Sequence, residues 1–143
     1  MDRLIFKIIG PPDTPYEGGE YILHMSLPDS YPMAPPELRM LTPSGRFDTN
    51  VKICTSFSSF HGESWSPAYT LTSLLVSMVS FLTQATANSG IGAATTTDQE
   101  KRRLAAASKA WNRTKGYTAR FDEMVAAPAA GSPSTARGKP TKP

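Results

Sequence analysis

This chain of 143 residues contains a single cysteine, Cys54, so it forms no internal disulfide and suits a reducing compartment. Its two histidines, His24 and His61, lie far apart, and no His/Cys cluster has metal-ligand spacing. No apolar run is long enough to span a bilayer, and the N-terminus lacks a signal-peptide pattern. The chain as written is therefore expected to carry no membrane span. Acidic residues are scarce in the C-terminal part. Residues 98–143 hold ten Lys/Arg against four Asp/Glu, whereas residues 1–97 hold five against eight. A basic half of this kind can touch nucleic acid or an acidic surface. No aromatics are interleaved with the tail basics, so solvated helix faces and a basic tail are the simpler reading, with no nucleic-acid partner.

The length fits one domain, and 39% hydrophobic residues suffice for one core. Leu4 to Ile9 reads as a strand, and Glu20 to Leu27 alternates as a second, with Tyr21, Leu23, Met25 and Leu27 on one face. Between them, Gly10 to Gly19 holds three prolines and three glycines and must turn. A proline-rich connection, Pro28 to Pro36, leads to a short strand at Glu37–Leu41. Leu71, Leu74, Leu75, Met78, Val79 and Leu82 form one apolar stripe of a helix that Thr70 can cap. Thr97-Asp98-Gln99-Glu100 predicts a capping box opening a second helix, with Leu104, Ala107 and Trp111 inward and Gly116 at its end. Tyr117, Phe121, Met124 and Val125 suggest a short third helix, and residues 126–143 read as a disordered Pro/Ala/Ser tail.

Between the third strand and the first helix, Gly45 to Pro67 lacks regular periodicity yet contains Phe47, Ile53, Phe57, Phe60 and Trp65. It reads as an ordered loop that presents Cys54. A lone cysteine often simply fills a core. A nucleophilic one needs access and a polar setting, and composition does not choose between the two.

Several motifs narrow the choice. Gly10-Pro11-Pro12-Asp13-Thr14-Pro15-Tyr16-Glu17-Gly18-Gly19, Tyr31-Pro32-Met33-Ala34-Pro35-Pro36, and Ile53-Cys54 followed by Trp65-Ser66-Pro67 resemble the ubiquitin-conjugating enzymes in the order that family has them. Thr42-Pro43-Ser44-Gly45-Arg46-Phe47, Asn50, Phe60-His61, Ser89-Gly90-Ile91-Gly92 and the run from Thr97 to Asn112 resemble its tail-anchored subgroup, which lacks a His-Pro-Asn motif and serves degradation at the endoplasmic reticulum. The resemblance covers residues 4 to about 125 and makes residues 1–125 the conjugating domain. It implies an α/β (α+β) fold, a four-stranded antiparallel meander with helices on one side. It also implies a helix ahead of the first strand and a C-terminal membrane anchor, neither of which this sequence contains, so the chain is expected to be truncated or divergent.

By the same resemblance, Cys54 is the nucleophile that accepts ubiquitin as a thioester from an ATP-using activating enzyme and passes it to an acceptor, with no metal or organic cofactor. Asn50, four residues before Cys54, is the candidate donor to the oxyanion, and Ser44 stands where the subgroup often has an asparagine. A turn-forming asparagine is the equal alternative for Asn50. His61 is a candidate base or simply a loop histidine. Met33, Pro67 and Ala68 are the expected ligase-docking residues. Two further classes stay open: an inactive conjugating-enzyme variant acting as a binding module, and a cysteine hydrolase using Cys54 and His61.

Overall fold

The computed structural model describes residues 2–53, 64–84, 93–94, 96–119 and 121. Three strands, β1 (Asp2–Ile9), β2 (Glu20–Leu27) and β3 (Glu37–Met40), precede two helices, α1 (Leu71–Thr83) and α2 (Asp98–Thr114). The strands form an antiparallel sheet in the order β1-β2-β3.

The β1–β2 turn is dictated by its glycines and Thr14. Gly10 N–H donates to the Gly19 carbonyl at 2.9 Å, and the Thr14 hydroxyl donates to the Pro11 carbonyl at 2.8 Å. A Cβ on Gly10 would fall 1.7 Å from the Tyr16 carbonyl oxygen, which excludes any side chain there.

Register then sorts the strand residues into two faces. Phe6 pairs with Leu23 and Leu23 with Met40; Leu4 pairs with Met25 and Met25 with Leu38. This layer packs with Leu74, Met78 and Leu82 of α1 and Ala105 of α2 in one core cluster. Of the stripe expected for α1, Leu74, Met78 and Leu82 are buried and Leu75 and Val79 partly so, whereas Leu71 at the first turn is exposed. Its start carries a reciprocal cap: the Ser73 N–H donates to the Thr70 hydroxyl, and the Thr70 N–H donates to the Ser73 hydroxyl.

Three expectations need correction. The fourth strand of the meander is a single bridge, Arg39 to Lys52, flanked by backbone bonds from Asn50 N–H to Met40 and from Ile53 N–H to Leu38. The left-handed residue Asn50 turns the chain within this segment, so no longer ladder forms among the described residues.

The face of α2 is also rotated by one residue. Ala105, Ser108 and Asn112 are buried, Leu104 and Trp111 are only partly so, and Ala107 is exposed. Polar satisfaction decides this. The Glu20 N–H donates to the Ser108 hydroxyl at 2.9 Å, and the Asn112 amide donates to the Glu20 carbonyl at 2.8 Å. Asn112 Oδ1 lies 2.5 Å from the Thr42 hydroxyl, which accepts from the Ile22 N–H at 2.9 Å. The helix is thus latched to β2 by polar groups that an apolar periodicity does not weigh.

Finally, the box at α2 is half formed. Thr97 caps Glu100 N–H, but the Glu100 carboxylate is held by Arg103 instead. Ala119 and Phe121 have helical backbone, and the rest of the expected third helix and the tail lie outside the described residues.

Candidate functional site

The approach to Cys54 is built by the chain leaving β3. Thr42 is anchored in the latch just described. Ser44, buried completely, sits below the backbone N–H groups of Arg46 and Phe47 at 3.2 and 3.3 Å and accepts from both. Its hydroxyl therefore closes a local turn. Gly45, at φ +77°, continues that turn, and its carbonyl accepts from the Thr96 hydroxyl at 2.7 Å. The Ala94 N–H donates to the Arg46 carbonyl, so the segment before α2 is stitched to this approach.

Arg46 was not singled out by the sequence, and its position is unusual. It is 4% exposed, with its guanidinium 4.7 Å from the Phe81 ring and 5.1 Å from the Phe47 ring. Its Nε and Nη1 meet no acceptor. The two ring faces supply the stabilisation that a carboxylate otherwise would. An arginine beside a phenylalanine within an irregular segment carries no pattern that announces such a stack.

Asn50 follows, exposed, at φ +59°. Its N–H donates to the Met40 carbonyl at 2.8 Å, and its carbonyl accepts from Arg39 Nη1 at 3.0 Å. The backbone of Asn50 thus has a turn-making role of its own, and its side-chain amide is not consumed by it. Lys52 pairs with Glu37 at 2.6 Å, and Ile53, 1% exposed, donates its N–H to the Leu38 carbonyl. Ile53 pins the chain to the sheet immediately before the cysteine. Cys54 and His61 themselves lie outside the described residues, as does the Ser89–Gly92 motif.

The chain returns at Ser64. Trp65 Nε1 donates to the Pro32 carbonyl at 2.9 Å, and its ring lies 6.2 Å from Tyr31 and 5.3 Å from Tyr69. This fastens the Tyr31–Pro36 connection to the segment entering α1. Met33 is 73% exposed, and Pro67 and Ala68 are exposed as well. The structure therefore brings together, around Trp65, the two loops that hold Met33 and Pro67–Ala68. Among the described residues no group of acidic, histidine or cysteine side chains could hold a metal ion. No helix among them is long and apolar enough to cross a membrane.

An antiparallel three-stranded sheet with a helix packed along its inner face defines an α+β domain, and the cysteine lies in the long segment that joins the two in sequence. The sequence profile of the ubiquitin-conjugating enzymes matches residues 1–114, and the chain belongs to that family. Within the family it is 40% identical over 123 residues to the ubiquitin-conjugating enzyme E2 6 of Debaryomyces hansenii, covering 85% of this chain and 50% of that protein. It is 36% identical over 121 residues to the ubiquitin-conjugating enzyme E2 J2 of Bos taurus, covering 84% of this chain and 46% of the bovine one. The chain thus spans about half the length of these curated relatives. A crystal structure of a candidate ubiquitin conjugating enzyme from Plasmodium yoelii superimposes with a TM-score of 0.51 at 31% identity, over 59% of this chain and 55% of the other.

Proposed function

We propose that this domain accepts ubiquitin as a thioester on Cys54 from an activating enzyme and passes it to an acceptor, in protein degradation at the endoplasmic reticulum. The observation that supports this is the family match across residues 1–114, which includes the cysteine. The Cys54 thiolate attacks the carbonyl of the activating enzyme's thioester, and that enzyme's thiolate leaves. An acceptor amine then attacks the new thioester, loses its proton and expels the Cys54 thiolate. Both steps pass through an oxyanion, toward which the Asn50 amide is the proposed donor.

The exposed Met33, Pro67 and Ala68 are the proposed seat of the ubiquitin ligase, because apolar side chains on two loops tied through Trp65 offer a preorganised anchor. The place of action is the cytosolic face of the endoplasmic reticulum, reached through partners or through a segment beyond this sequence.

Incubation with activating enzyme, ubiquitin and ATP, followed by a non-reducing gel, tests the reading. It predicts a band one ubiquitin heavier that a thiol removes. Cys54→Ser should instead give a thiol-resistant oxyester, and Cys54→Ala no adduct. A folded chain that never charges would be a binding module. Turnover of a simple thioester without activating enzyme would mark a hydrolase, with His61 as its base.

A further inference from the structure

The sheet face away from the core carries a basic and apolar surface that includes none of the candidate site residues Met33, Asn50, Pro67 and Ala68. Because Leu4 and Phe6 point into the core, Arg3 and Ile5 point the other way. Ile5 pairs with His24, and His24 pairs with Arg39, so one line of side chains crosses all three strands. The other charges of this face are already neutralised: Lys7 lies 3.8 Å from Glu20, and Lys52 is bonded to Glu37. Among the described residues Arg3 has no acidic partner, and the Arg39 side chain donates to the Asn50 carbonyl. Arg3, Ile5, His24, Leu41, Tyr117 and Phe121 line a groove of about 480 Å³ here. That volume lies within the range of small-molecule sites, and its walls are mainly apolar, with Arg3 and His24 as the basic side chains among them.

We propose that this groove binds a small anionic amphiphile, a monocarboxylate with an apolar tail, its carboxylate on Arg3 and His24 and its tail along Ile5, Leu41 and Phe121. Charge complementarity selects the head: the Arg3 guanidinium and the His24 imidazole line the groove with no carboxylate among the lining residues, which favours an anion. The apolar walls select the tail, since a bare anion would leave Ile5, Leu41 and Phe121 facing water. His24 couples the site to pH. Burial and the fields of Arg3 and Arg39 hold its pKa below the ordinary value, and Tyr117 is the other titratable group lining the groove. A bound carboxylate opposes those fields, so binding takes up a proton and tightens as pH falls through the histidine range.

The test is a titration of the isotope-labelled full chain with decanoate below its micellar concentration, followed by amide chemical shifts. Shifts should centre on Arg3, His24, Tyr117 and Phe121, and decanol should bind at least about tenfold more weakly. Arg3→Gln, at an exposed position, should leave the melting temperature unchanged and weaken decanoate about fivefold. His24→Gln should abolish the tightening between about pH 7.5 and 5.5. Equal affinity for decanol overturns the proposal, as do shifts confined to Leu75, Val76 and Val79. Binding to anionic phospholipid vesicles without binding of free decanoate overturns it too, since the anion would then have to be a membrane headgroup.

Discussion

Replacing Asn50 separates the two roles its position allows. At φ +59° its backbone is left-handed, and the turn is held by the 2.8 Å bond to Met40 and the 3.0 Å bond from Arg39. Asn50→Gly keeps that conformation at little steric cost while deleting the amide. Asn50→Ala deletes the amide and also adds a left-handed penalty of roughly 1–2 kcal/mol. If the amide stabilises the oxyanion, both variants lose about 2.7–4 kcal/mol of transition-state stabilisation, a discharge rate about a hundred to a thousand times slower. Ala additionally loses folding stability, which Gly does not. Single-turnover discharge of preloaded protein onto free lysine, with urea unfolding alongside, reads both quantities. Discharge of Asn50→Gly at the parent rate would refute the oxyanion role and leave Asn50 as a turn residue.

Three further outcomes follow from the structure. Asn112→Ala strips the Glu20 carbonyl and the Thr42 hydroxyl of their buried partner, and urea unfolding should show a loss of about 2–3 kcal/mol. His24 has a lowered folded pKa, chiefly through burial and then through Arg3 and Arg39, so the unfolded chain binds the proton more readily. Stability should therefore fall as pH drops below the ordinary histidine value of 6.5 toward the folded pKa, and an NMR titration of the His24 ring should place its midpoint below that value. Lastly, a groove of about 810 Å³ between β1 and α1 leaves Ile5, Ile9 and Val76 exposed. Fusing an amphipathic helix ahead of Met1 should raise the melting temperature by several degrees, since each apolar side chain covered is worth roughly 1.5–3 kcal/mol at full burial. An unchanged melting temperature would mean that the helix does not seat there.

Local chemistry made much of the architecture legible. The α1 stripe, its Thr70 cap, the Gly10–Gly19 turn and the β2 alternation each depend on residues close in sequence, and periodicity and caps report those directly. The motifs around Cys54 likewise point to the family, because each is a run of residues fixed in type and order along the chain. What they could not convey is how distant groups satisfy one another.

The rotation of α2 was decided by Ser108 and Asn112 meeting the backbone of Glu20, some ninety residues away. Ile22, on the β2 face opposite Tyr21, Leu23 and Met25, is fully buried as well, with its N–H bonded to Thr42. Arg46 looks like a surface cation in the sequence, yet it is buried over the rings of Phe47 and Phe81, which the chain brings together only on folding. The sequence by itself determined the elements, the turn chemistry and the family. Tertiary structure alone decided which polar groups are buried, because a buried donor must find its acceptor wherever the fold places one.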